Sequence, residues 1–217
     1  MIAGIASGKC GSAPRDLPVT RGGVDLPRLE RAVRELLFAI GEDPDREGLV
    51  ETPARVARAY RDLTAGLRDD AARHLARRFD HDAGSTHDLV MVRDVAFHSL
   101  CEHHLLPFFG KAHVAYLPAG RKVVGLSKLA RTVEVFAWRP QMQERLTGQI
   151  ADALVEHLDP RGVAVIVESR HLCMGARGAC RPDADMLTTA VRGTFADDAA
   201  ARKEVFDLLT GRAGRSC

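Results

Sequence analysis

The run from Met142 to Cys173, MQERLTGQIADALVEHLDPRGVAVIVESRHLC, contains a helix, a stop and a strand in direct succession. Met142, Leu146, Ile150, Leu154 and Leu158 recur every fourth residue, an apolar row along one helix face. Pro140 opens that helix, and Asp159-Pro160-Arg161-Gly162 closes it. Val163 to Glu168 is then short, apolar and rich in branched side chains, as a buried strand requires. If extended backbone continues past it, the period of two brings His171 and Cys173 to one face.

Working outward, Leu89 to Phe97 and Lys111 to Leu117 also read as strands, the second ending at the turn Pro118-Ala119-Gly120. Leu126 to Trp138 has helical spacing with Ser127 at its cap. Met186 to Phe195 reads as a strand and Asp198 to Leu209 as a last helix. Strands in hairpin order with paired helices predict an α+β fold built on an antiparallel sheet.

Upstream, Pro27 to Ile40 carries Leu29, Val33, Leu36, Leu37 and Ile40 at helical spacing, with Gly41 after its end. Thr52-Pro53 starts a second helix, with Thr52 as cap and the stripe Val56, Tyr60, Leu63 and Leu67. A charged helical stretch over 70–79 follows, then a loop with Gly84, Ser85 and Thr86. The chain thus divides into a mobile tail (1–24), a helical region (25–83) and a sheet-and-helix core with a C-terminal helix (84–217).

With 217 residues, 46% hydrophobic and 28% charged, the chain has ordinary soluble composition and length enough for a substantial core. A formal net charge of +2 supplies no field for nucleic acid or a membrane surface, so neither is an expected partner. No apolar run reaches spanning length, and Met1 to Ala6 is too short for a secretory segment. The five cysteines, Cys10, Cys101, Cys173, Cys180 and Cys217, make an odd set that suits a reducing cytoplasm better than a disulfide framework.

The chemistry gathers in Ser99-Leu100-Cys101-Glu102-His103-His104-Leu105-Leu106-Pro107-Phe108. A three-residue spacing is close to one helical turn, so Cys101 and His104 can face one point while His103 is left for proton work. With Cys173 they make two sulfurs and one nitrogen around Zn2+, and three ligands leave the fourth tetrahedral position open, as in catalytic zinc. From spacing alone Cys180 can replace Cys173. A closed zinc knot would need two close ligands in its second half, and Cys173 and Cys180 stand seven apart. His103 and His171 can each orient a ligand or carry a proton at neutral pH. Glu102 either accepts from an imidazole or stands as a solvated carboxylate.

Basic residues form a third group. Ser127, Lys128 and Arg131 fall in the first turn of a predicted helix, where unpaired N–H groups attract anions. Arg55 and Arg58 are three apart on another helix, and Arg177 follows the second cysteine cluster. Each also reads as an ordinary surface charge. No phosphate-loop signature is present. Gln143 and Glu144 open the long helix, where a carboxylate suits the dipole and the pair can read a purine edge.

Ser99 to Phe109, Gly125-Leu126-Ser127-Lys128-Leu129-Ala130-Arg131, Gln143-Glu144-Arg145-Leu146-Thr147, His171-Leu172-Cys173-Met174 and Ala190-Val191-Arg192-Gly193 resemble the GTP cyclohydrolase I family. Gly41-Glu42-Asp43-Pro44 and Thr52 to Ala57 extend the resemblance, which covers about residues 28–210. It implies a T-fold, an antiparallel sheet with two helices packed on one side, in a homodecamer of two pentameric rings. It implies hydrolysis of GTP to 7,8-dihydroneopterin triphosphate and formate, the first step of tetrahydrofolate and pterin synthesis. Cys101, His104 and Cys173 match its zinc ligands. His171 matches the residue that protonates purine N7, and His103 the one acting at the ribose ring oxygen, with exchange of those roles left open. Gln143 and Glu144 match contacts to the guanine edge. Ser127, Lys128, Arg131 and Arg177 match triphosphate contacts, joined by Arg55 and Arg58 from a neighbouring subunit. Glu102 is grouped with the substrate-binding residues.

Gly175-Ala176, Arg181 to Asp185, Trp138, Pro140 and Arg58 depart from the family's usual residues without removing a group the chemistry needs. Two alternatives remain on these residues: a T-fold enzyme for another purine or pterin, and a non-catalytic zinc protein.

Overall fold

The structure, a computed structural model, describes residues 23–80 and 89–211. Most of the expected tail, the loop holding Gly84, Ser85 and Thr86, and both Cys10 and Cys217 lie outside the described residues. Helices α1 (Leu26–Ala39) and α2 (Thr52–Leu63) pack against each other and lead through a 3-10 turn (Ala65–Arg68) to α3 (Ala71–Leu75) and the short strand β1 (Arg78–Asp80). Then follow β2 (Val90–Cys101), β3 (Pro107–Leu117), β4 (Lys122–Val124), α4 (Leu126–Ala137), β5 (Pro140–Gln141) and α5 (Gln143–Leu158). The chain ends with β6 (Gly162–His171), α6 (Leu172–Gly175), β7 (Asp185–Gly193), α7 (Thr194–Asp197) and α8 (Ala199–Leu209).

The main sheet has the order β5-β2-β3-β6-β7, antiparallel throughout except for the two-residue parallel pairing of β5 with β2. Because side chains alternate along a strand, Phe108, Ala112, Val114 and Tyr116 of β3 share a face with Val163, Val165 and Val167 of β6. Leu129 and Val133 of α4 and Leu146, Ile150 and Leu154 of α5 pack on that face. Leu146, Ile150 and Leu154 have no exposed surface, and each such side chain stabilises the fold by about 1.5–3 kcal/mol. This is the expected antiparallel sheet with two helices on one side. Part of the opposite face, at Ala115, Ala164 and Ile166, is covered by Phe195, Val205 and Leu209 from α7 and α8.

Several boundaries differ from the sequence reading, each for a local reason. The stretch 70–79 is not one helix: Asp70 caps a short α3 and the chain then extends into β1, which pairs with β4. Gly125 occupies the cap of α4, so Ser127 lies inside the helix, and Glu51 precedes Thr52 at the start of α2. Pro140 belongs to the short β5, and α5 begins at Gln143. Strand β2 runs on through Cys101, and β7 stops at Gly193, where φ is +57° and an added Cβ would meet Arg161 O at 2.3 Å. Among the described residues, no helix is long and apolar enough to cross a membrane.

Candidate active site

The hairpin joining β2 to β3 builds the first half of the site. Cys101 is the last residue of β2, and its N–H donates to Leu106 O at 2.9 Å. The backbone then makes a single helical turn: Leu105 N–H donates to Cys101 O at 2.7 Å and His104 N–H to the same oxygen at 3.3 Å. That turn sets His104 over Cys101. Leu105 reverses the chain at φ 54°, a left-handed conformation costing a non-glycine residue about 1–2 kcal/mol. Phe108 and Cys101, both in the core, pin the two sides of the hairpin.

Cys173 arrives from β6, by a route the strand period did not anticipate. The strand ends at His171, and Cys173 sits in the single turn of α6. The side-chain ligand atoms of Cys101, His104 and Cys173 lie within 4.8 Å of one another. Burial first, and the adjacent Cys101 sulfur second, push the Cys173 thiol up, against the Arg177 charge. Two crowded sulfurs and an imidazole are a donor set that a zinc ion satisfies in tetrahedral geometry, with one position to spare. Cys180, exposed and at φ 48° in the following loop, is not in the group.

His171 lies beside this group, its ring stacked on Phe108 with centroids 4.5 Å apart and planes 2° apart. Burial holds its pKa below the usual imidazole value, opposed by the Glu144 carboxylate. Its Nε2 meets Gln143 Oε1 at 2.9 Å. Glu144 is exposed in the first turn of α5. His103 is exposed, with Nδ1 4.0 Å from Cys101 Sγ and its ring edge-on to His104. Gln143, expected at a guanine edge, is 1% exposed, and both ends of its amide are engaged by protein groups. Glu102 is paired with Arg145, whose guanidinium holds its carboxyl below the usual range.

The start of α4, which carries Ser127 and Lys128, is not brought to this end of the sheet, and Arg131 lies midway along the helix. Val124, just before α4, donates to the Tyr116 hydroxyl, and Tyr116 lies eight residues along β3 from Phe108, about 27 Å at the rise of a strand. The other end of α4 is the one beside the hairpin: Trp138 stacks on His98 with centroids 5.6 Å apart, and Ser99 Oγ donates to Arg139 O. Arg55 is exposed on α2 and paired with Glu51; Arg58 is exposed on the same helix. Arg177 lies in the loop after α6, close enough to act on Cys173.

The sequence profile of GTP cyclohydrolase I matches residues 29–210. The chain belongs to the GTP cyclohydrolase I family. Proteins named GTP cyclohydrolase 1 from Bacillus pumilus and Bacillus subtilis are 58% and 57% identical to it, over 83% and 86% of this chain and 94% and 96% of their own lengths. The protein of that name from Thermobifida fusca is 52% identical over 91% of this chain and 94% of its own.

Within this GTP cyclohydrolase I family site, several contributors were not singled out from sequence. Arg145 reaches Glu102, Ser169 Oγ donates to Gln143 Oε1 at 2.6 Å, and Thr188 meets both Gln143 and Thr147. Ser169 had a signal: it is the one polar residue between Val167 and His171 on the inward face of β6. Arg145 had none, because its partner is 43 residues away.

Proposed function

We propose that the chain hydrolyses GTP to 7,8-dihydroneopterin triphosphate and formate, the first step of tetrahydrofolate and pterin synthesis, with Zn2+ held by Cys101, His104 and Cys173. The observation that carries this reading is the convergence of those three ligand atoms within 4.8 Å, beside a half-buried imidazole and the start of α5. Bound there, zinc supplies Lewis acidity that brings the ionisation of a water into the neutral range.

The remaining work falls to the chain's own residues. Guanine presents two donors along one edge, N1–H and the 2-amino group, and the exposed Glu144 carboxylate is an acceptor for both. His171, less basic than an exposed imidazole, hands a proton to purine N7, which makes C8 more electrophilic towards water. Addition at C8 and loss of that carbon as formate open the imidazole ring, and His103 serves the ribose ring oxygen as the sugar opens. Gln143 offers no side-chain atom for the guanine contact expected of it, since strand carbonyls, Ser169 and His171 already engage its amide.

Ser127, Lys128, Arg131 and Arg177, with Arg55 and Arg58, are assigned to the triphosphate. Because Ser127 and Lys128 lie on the start of α4, at the far end of their own sheet, this helix serves the site of another copy. The sheet supports this. Apart from Leu100 and Cys101, which meet β5, the outer edge of β2 pairs with no described strand, nor does that of β7. Such edges close by joining copies edge to edge. The expected assembly is a decamer of two pentamers, ten times the 23.6 kDa of one chain, working in the cytoplasm.

Incubation of zinc-loaded protein with GTP tests the activity. Formate and a fluorescent pterin should appear in step with GTP loss, and no turnover in a fully loaded sample overturns the proposal.

A further inference from the structure

Gln143 sits where the first turn of α5 meets the ends of β6 and β7, and its side chain is enclosed by protein. Its Nε2 lies 3.0 Å from Val167 O, 3.0 Å from Met186 O and 3.2 Å from Thr188 Oγ1. Its Oε1 lies 2.6 Å from Ser169 Oγ and 2.9 Å from His171 Nε2. Shape alone does not distinguish the two ends of an amide; the partners do.

Backbone carbonyls only accept, so the NH2 end must face Val167 and Met186. The hydroxyls agree with this orientation. Thr147 Oγ1 donates to the backbone oxygen of Gln143 at 2.8 Å, so the 2.6 Å contact between Thr147 and Thr188 takes its proton from Thr188. Thr188 Oγ1 is then left as an acceptor towards the amide. The amide oxygen therefore faces Ser169 and His171, and an amide oxygen only accepts. Both of those partners must donate. A reversed amide would set its oxygen against two carbonyls with water shut out, since Gln143, Thr147 and Ser169 are all within 4% of complete burial.

We propose that Gln143 is a positioning residue, which fixes the ring orientation of His171 and places the proton of the neutral imidazole on Nε2. Phe108 completes the lock by stacking flat on the ring, which holds its plane, while the contact with Gln143 fixes which edge of the ring faces the amide. Nδ1 is then the ring atom that can take up a second proton. The inference rests on the reading of His171 as the proton donor, and it moves Gln143 from the substrate to the apparatus behind that donor.

The test is solid-state 15N NMR of the histidine-labelled, zinc-loaded enzyme sedimented from solution, with a His171→Asn sample identifying the His171 signals. The neutral ring should carry its proton on Nε2. A proton on Nδ1 in the wild-type enzyme overturns the inference, and that spectrum decides alone if the variant below does not fold. In Gln143→Met the ring should show both tautomers. Its kcat should fall roughly 10- to 100-fold, within the range that a positioned acid contributes, while KM for GTP changes less than about threefold, as expected when ground-state binding is untouched. A raised KM with unchanged tautomer and kcat would instead make Gln143 a guanine contact. If the wild-type enzyme shows the Nε2 proton yet turns over no GTP, the activity fails and the amide lock stands.

Discussion

Arg145 of α5 grips Glu102 of the hairpin that carries Cys101 and His104 through two parallel contacts, Nη1 to Oε2 at 2.6 Å and Nη2 to Oε1 at 2.9 Å. A guanidinium and a carboxylate matched this way fix orientation as well as distance. Glu102 lies between Cys101 and His103, and its own N–H donates to Gln141 O at 3.1 Å. The hairpin is thereby tied to the start of α5, the element that also presents Gln143 and Glu144. Arg145→Lys keeps the charge and loses the fork, and it should weaken zinc binding by about tenfold, as loss of a ligand-orienting group does. Competition against a chromophoric chelator reads this. Zinc affinity equal to wild type would reduce the pair to a surface contact.

The ligand set makes a sharper prediction. Cys173→Ser should lose both zinc and GTP turnover, because it removes one of the three proposed ligands. Cys180→Ser should keep both, since Cys180 is exposed and outside the group. Zinc content per chain by elemental analysis separates them, and a zinc-depleted Cys180→Ser would exchange the two assignments.

Much of this site was legible in the chain because its signals are local. A Cys-x-x-His spacing needs one backbone turn, and the turn from Cys101 to Leu105 supplies it. The i+4 row of α5 and the apolar run of β6 likewise declare themselves within a few residues. Cys173 comes near Cys101 and His104 by a helical turn and not by continued strand, because Leu172 to Gly175 is too short to show a period. The stretch 70–79 failed the same way, since five residues of helix and three of strand share no pattern. What stayed hidden depends on long-range register. Gln143 reads as an amide open to a purine edge until β6 and β7 bring Val167, Met186 and Thr188 around it. Likewise, the separation of Ser127 from the metal end appears only when β3 gives a length to measure along.

Strand register also makes Gly110 irreplaceable. It pairs with Ser169, and a Cβ built there would lie 1.9 Å from Glu168 O and 2.6 Å from Ser169 Cα. Both obstacles are backbone, so β3 and β6 must part. Gly110→Ala should destabilise the fold by about 1–3 kcal/mol, a Tm drop of about 2–12 °C for a chain of this length. The strain falls next to Ser169 and so beneath the Gln143 lock, and kcat should fall with Tm. An unchanged Tm in thermal unfolding would show that the strands yield without cost.

Acid sensitivity should trace in part to the turn after α1. Arg46 grips the Glu42 carboxylate at 3.0 and 2.9 Å, and the N–H of Asp43 also donates to it; together they depress its pKa from 4.5 to about 2. A carboxylate with a depressed folded-state pKa stabilises the fold above its unfolded value, and that stabilisation is lost as pH falls from 4.5 towards about 2. The Glu42 side chain is 41% exposed, so the effect is modest and screened by salt. Glu42→Gln should be less stable than wild type at neutral pH and converge on it near pH 2. Parallel stability curves over that range would discharge Glu42 of the role.

The distance between the metal end and Lys128 offers the most direct test of assembly. A Cys101→Ser chain lacks a zinc ligand but keeps Ser127, Lys128 and Arg131. A chain with Lys128→Ala and Arg131→Ala keeps the zinc ligands and loses two cations. If each site combined both sets from one chain, mixed assemblies would be as inactive as their parents. If the start of α4, which follows the end of β3 remote from Cys101, serves a neighbour's site as proposed, a mixed assembly contains some junctions with both sets intact. Co-expression of the two chains under separate tags, followed by tandem purification, should restore a measurable share of GTP turnover. Each parent purified alone should show a deficit: no zinc-dependent rate for the first, and a KM for GTP raised at least about tenfold for the second, the cost of losing charged contacts to a phosphate. Hetero-assemblies that form but stay inactive would place the triphosphate elsewhere and leave Lys128 and Arg131 as surface charges.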